Sequence, residues 1–140
     1  MRIAGILPVS FCNGDGARFV VFVQGCKHHC HGCHNPETWD EACGHDITVE
    51  QIAAEYAKHP LVDGITLSGG DPLYQHDECM KLLDLLGDVN VWVYTGFTYE
   101  EIKNTPLAKR ANVIVDGPYI ERLRVEGKMY GSSNQRIIRR

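Results

Sequence analysis

The stretch that decides the fold runs from Gly64 to Tyr94 and reads GITLSGGDPLYQHDECMKLLDLLGDVNVWVY. It opens on a short β-rich run, Gly64–Leu67, and Asp71-Pro72 then offers an N-cap followed by proline at the first helical position. The helix begun there extends to Leu86, with Met80, Leu82, Leu83, Leu85 and Leu86 on its apolar side and Gly87 closing it. A second β-rich run, Asn90–Tyr94, follows at once. Strand, helix and strand in so short a span make one βαβ unit, which predicts two parallel strands.

The same alternation continues on both sides. Arg18–Val23 is a compact β-branched and aromatic run, hence a buried strand. Thr48–His59 reads as a helix, with Thr48 and Gln51 spaced as a capping box. Tyr99–Asn104 reads as a short helix and Asn112–Val115 as a fourth strand. The expected class is α/β, a parallel sheet of right-handed βαβ units. A complete eight-unit barrel takes ~250 residues. A chain of 140 residues therefore predicts a partial, open (βα) barrel in a single domain, residues 1–140. The basic Arg136–Arg140 tail reads as a solvated terminus; Arg18 reads as a surface salt-bridge partner of Asp15, with reach to an anionic group as the alternative.

Composition narrows the function classes. Hydrophobic residues make up 44% and the formal charge is −4, which argues against disorder and against a general nucleic-acid or anionic-membrane binder. The six cysteines first raise a secreted disulfide framework. No exit signal supports it: Pro8 interrupts the apolar run Ile3–Val9, and no small-residue cleavage site follows. The longest apolar run elsewhere, Phe19–Val23, falls far short of the ~20 residues that span a bilayer. The expectation is a cytoplasmic protein with reduced thiols and no membrane segment, in which clustered cysteines bind metal or act in catalysis.

Cys26, Cys30 and Cys33 fall within eight residues, whereas Cys12, Cys43 and Cys79 stand alone. The cluster follows the first predicted parallel strand, Ser68–Asp71 the second, Thr95-Gly96 the third and Asp116–Pro118 the fourth. Parallel sheets bind ligands beyond the carboxyl ends of their strands, so these segments should share one rim. Three thiolates on one tight loop suit zinc or an iron–sulfur cluster. A closed site needs a fourth ligand, and the loop holds no fourth cysteine. His28, His29, His31 and His34 each offer to complete a Cys₃His zinc site, so the residues alone leave both metals open.

Longer motifs go beyond spacing. Gly25-Cys26-x-x-x-Cys30-x-Gly32-Cys33-x-Asn35-Pro36-Glu37-Thr38-Trp39 resembles the radical S-adenosylmethionine (SAM) superfamily, and more narrowly the small activating proteins of anaerobic ribonucleoside-triphosphate reductases. Asn13–Arg18, Ser68–Pro72, Trp92–Gly96, Val115–Gly117 and Gly131–Gln135 match in the same order. Tyr130 departs from the arginine expected before the last motif.

The resemblance implies a [4Fe-4S] cluster held by Cys26, Cys30 and Cys33, with SAM chelating the fourth iron. It implies contacts to the SAM amino group from Ser68, Gly69, Gly70 and Asp71, and to the adenine side from backbone around Gly32, Cys33 and His34. Asp116 is either a SAM or substrate contact or a turn former. Gly131–Gln135 is expected near the cofactor or the partner surface. The implied reaction is reductive cleavage of SAM to methionine and a 5′-deoxyadenosyl radical, which takes a hydrogen atom from a glycine of the reductase. The implied partners are the reductase large subunit and a one-electron donor. Activation of another glycyl radical enzyme, such as pyruvate formate-lyase, and a non-catalytic zinc module are the competing readings. Cys12, Cys43 and Cys79 are expected to have no catalytic role, and Trp39 and Trp92 to pack.

Overall fold

The computed structural model describes residues 1–33, 36–40 and 42–140. Its centre is a mixed sheet of seven strands: β1 (Arg2–Ser10), β2 (Arg18–Val23), β3 (His45–Asp46), β4 (Gly64–Gly69), β5 (Asn90–Tyr94), β6 (Val113–Asp116) and β7 (Arg136–Arg139). They lie in the order β3-β1-β2-β4-β5-β6-β7. The inner four, β2, β4, β5 and β6, run parallel, as the alternating pattern predicts. Antiparallel strands flank them on both sides.

The two faces of the sheet bury different things, because side chains alternate along a strand. Phe19, Val21, Val23, Ile65, Leu67, Val91, Val93 and Ile114 form one core with the helices. These are α1 (Val49–Ala57), α2 (His76–Leu86), α3 (Tyr99–Ile102) and α4 (Pro106–Arg110). They bring Ile52, Cys79, Leu82, Leu83, Ile102 and Leu107 to it. On the opposite face Trp92, Val113 and Val115 pack with Tyr94, Met129, Tyr130 and Ile137. Among the described residues, none from α1 to α4 joins that cluster.

Local signals explain the element ends. Thr48 accepts from Gln51 N and the Gln51 side chain accepts from Thr48 N, the predicted capping box of α1. Gly87 closes α2 at φ 76°. Asp71 and Pro72, however, begin a 3₁₀ turn, Pro72–Gln75, and α2 itself starts at His76.

Three expectations are corrected. The apolar Ile3–Val9 run belongs to β1, an antiparallel strand; Pro8 fits because the register shifts between Leu7 and Ser10, where no ladder bond is owed. The Arg136–Arg140 tail is mostly β7, paired with β6, with Ile138 packed on the helix-side core. Arg18 is 1% exposed, not a surface residue. It donates to Thr66 Oγ1, Ile65 O, Asn90 O and Asn90 Oδ1. Among the described residues no helix is long and apolar enough to cross a membrane.

Candidate metal and cofactor site

The four parallel strands end at one rim, and backbone bonds knit their loops together. Gly25 N donates to Thr38 O and Cys26 N to Trp39 O, which sets the entry to the cysteine loop. Gly70 N donates to Val23 O and Asp71 N to Gly25 O, which locks the end of β4 against that entry. Gly70 is required here: a Cβ would lie 2.4 Å from Gly25 O. The resemblance implies a ligand contact at this glycine; in the structure it also makes room for the entry to the cysteine loop.

The three predicted ligands come together. Cys26, Cys30 and Cys33 all line one pocket of about 360 Å³, whose wall also includes Ser68, Gly69 and Gly70. That volume suits a small-molecule ligand. All three cysteines are free thiols of intermediate exposure. Burial pushes the Cys26 and Cys30 thiols above their ordinary value. Backbone N–H groups oppose this, those of His28 and His29 at Cys26 and that of Tyr119 at Cys30.

Other predicted contacts lie elsewhere. The Asp71 carboxylate is 1% exposed and takes bonds from Leu73 N, Thr95 Oγ1, Gly96 N and His28 Nε2. It ties strand ends together and is not on the pocket wall. Asp116 is likewise buried, accepting from Tyr99 N and the Arg136 guanidinium. Gly32 turns the chain at φ +74° against Glu121, outside the pocket. His34 falls outside the described residues.

Several wall residues were given no ligand role by the sequence. Cys12 and Asn13 arrive on the β1–β2 connection and Met129 and Tyr130 on the segment before β7, so only the tertiary fold brings them to the rim. Gly131 and Gln135 do line the pocket. Gln135 knits the loops, donating to Gly117 O and accepting from Gly131 N and Ser132 N. Trp92 is core. Trp39 lies on the rim, stacked on His29 at 4.7 Å.

A polar inorganic group and an organic ligand both fit this wall. Tyr94 Oη and Trp39 Nε1 are buried without a hydrogen-bond partner among the described residues, and both residues line the pocket. Buried donors normally have partners, so two orphans on one wall point to a bound polar molecule. Among the described wall residues Lys128 is the one Lys, Arg, Asp or Glu. The Asp71 carboxylate is held in structural bonds off the wall, and its charge adds to burial in pushing the Cys26 and Cys30 thiols up. Among the described residues no three His, Cys, Asp or Glu side chains close on a single metal ion. An iron–sulfur cluster takes its thiolates at separate corners, so they stand farther apart than ligands of one ion.

Comparison with known proteins agrees with this chemistry. Residues 12–138 match the 4Fe-4S single cluster domain family, so the class is a single-cluster iron–sulfur protein. The anaerobic ribonucleoside-triphosphate reductase-activating protein of Enterobacteria phage T4 is 38% identical over 98% of this chain and 93% of its own length. Its namesakes in Vibrio cholerae and Escherichia coli K12 are each 34% identical, over 94% and 91% of this chain. The chain belongs to this family of reductase-activating enzymes.

Proposed function

We propose that this chain is a radical SAM activase that generates the glycyl radical of an anaerobic ribonucleoside-triphosphate reductase. The carrying observation is a rim on which three cysteines of one loop share a pocket with unpartnered polar groups. On this reading the sheet is an open, partial (βα) barrel of the radical SAM type, in one cytoplasmic domain spanning residues 1–140.

Cys26, Cys30 and Cys33 would hold a [4Fe-4S] cluster, leaving one iron for SAM. When bound, cluster and SAM supply one-electron cleavage of the sulfonium to methionine and a 5′-deoxyadenosyl radical, which takes a hydrogen atom from a glycine Cα of the reductase large subunit. The chain's own residues bind and orient. The Tyr94 hydroxyl, which burial keeps protonated, offers a donor. Lys128 offers a cation to a carboxylate. A glycine-bearing loop of the reductase would have to reach this rim. A one-electron donor is required from outside.

The test is anaerobic. Reconstituted protein given dithionite and SAM should release methionine and 5′-deoxyadenosine, and should raise a glycyl radical signal on the reductase. Cys26→Ala, Cys30→Ala or Cys33→Ala should abolish both. A cluster-loaded protein that leaves SAM intact would overturn the proposal.

A further inference from the structure

We propose that His28 is a positioning residue for Cys26: its grip on the buried Asp71 carboxylate fixes the turn whose N–H groups face the Cys26 sulfur. This rests on the cluster reading above.

His28 lies midway between Cys26 and Cys30 and is half-buried, whereas His29 and His31 beside it are exposed. Its Nε2 is 2.7 Å from Asp71 Oδ2. Leu73 N, Thr95 Oγ1 and Gly96 N all donate to the same carboxylate, which offers acceptors only, so Nε2 carries the proton and donates. The ring is caged as well as bonded. It meets Phe97 edge-on at 4.6 Å, and a Cβ on Gly96 would lie 2.6 Å from its Cδ2. By contrast, the His31–Glu121 pair joins side chains that are 94% and 46% exposed, and such pairs hold little.

The next residue shows what the grip is for. His29 has φ 48°, the one non-glycine residue among those described with a positive φ. That conformation costs energy and persists only where its surroundings impose it. Here His28 is held on one side and His29 is stacked on Trp39 on the other. The result is a turn whose successive N–H groups, from His28 and His29, face the Cys26 sulfur and oppose the rise that burial gives its thiol. Such a concavity of backbone donors favours negative charge. Hydrogen bonds to a ligand sulfur stabilise the more reduced, more negative cluster and raise its potential. His28 therefore acts through Cys26, and its loss should make the cluster harder to reduce.

The experiment uses the anaerobically loaded full chain without SAM. Iron per chain, thermal midpoint and the reduction potential, read by EPR-monitored titration, are compared for the wild type, His28→Ala, His28→Gln and Gly96→Ala. His28→Ala should lose iron or shift the one-electron reduction equilibrium about tenfold toward the oxidised form, about 59 mV. His28→Gln, whose amide reaches the same carboxylate, should restore most of the loss. Gly96→Ala, which presses on the ring from the sheet side, should shift the potential in the same direction as His28→Ala. Equal potentials and iron contents in all four proteins would overturn the proposal. So would equal losses in His28→Ala and His28→Gln with unchanged melting. A wild-type chain that takes up no cluster would instead sink the functional reading itself, and shows before any variant is compared.

Discussion

Gly70→Ala isolates the contact that seats the cysteine loop on the sheet. Gly70 has no positive φ to protect, so alanine suits its backbone and the effect is steric alone. The added Cβ would stand 2.4 Å from Gly25 O, 2.8 Å from Gly25 C and 3.0 Å from Gly25 N. Carbon contacts sit near 3.5–4.0 Å, so the closest approach is about 1 Å too short. Backbone atoms cannot rotate away, which places the cost at about 2–3 kcal/mol, the upper part of the range for overpacking. For a domain of this size that is a fall of about 6–10 °C in melting temperature. The same displacement pulls Gly25 and Cys26 from the rim, so iron uptake should fall too. Gly5→Ala is the matched control: nothing lies within 4 Å of its Cβ, and alanine in a strand should be neutral or gain up to about 1 kcal/mol. Melting by circular dichroism and iron content decide the matter. If Gly70→Ala matches Gly5→Ala in both, the loop is not seated through this contact.

Other predictions separate ligand contacts from structural ones. Tyr94→Phe removes a buried hydroxyl that has no protein partner, so stability should hold or rise while SAM affinity, measured by calorimetry, falls several-fold; a clear loss of melting temperature would refute this. Arg139 holds the Asp15 carboxyl below its ordinary value of 3.8, and Arg136 holds Glu100 below 4.5. Depressed carboxyls stabilise fully above those ordinary values and lose their contribution as pH falls through the folded ones. In a Trp39→Phe background, Trp92 fluorescence should stay flat from pH 7 to about 5 and change only below about 4, because Arg139 lies over that ring at 5.4 Å. In metal-free protein at pH 8, peptide mapping after iodoacetamide should show exposed Cys43 alkylated before Cys26 and Cys30, whose thiols burial pushes up. Cys79, fully buried and pushed up furthest, should remain unmodified without denaturant.

What was legible in the chain and what was not divides along a physical line. Local order determines local things. The β-branched run Arg18–Val23, the capping box at Thr48 and the closing Gly87 each state their own conformation, and four such strands alternating with helices force a parallel centre. The loop Cys26–Cys33 was equally legible, because three soft ligands within one turn of chain need no distant partner to be recognised. The antiparallel edges were not. Ile3–Val9 and Arg136–Arg139 become strands only when β2 and β6 offer ladder partners across a long separation in sequence. Arg18 was misread for the same reason: it looks like a surface group until the fold buries it among bonding partners, and Asp71 and Asp116 likewise find their bonding partners only in the folded chain. The residues alone therefore determined that the rim gathers three soft ligands on one loop, with zinc and iron–sulfur both open. Tertiary structure decided which groups hold the buried carboxylates, how the loop is anchored, and which backbone groups face the sulfurs, because those depend on atoms that meet only after the strands have paired.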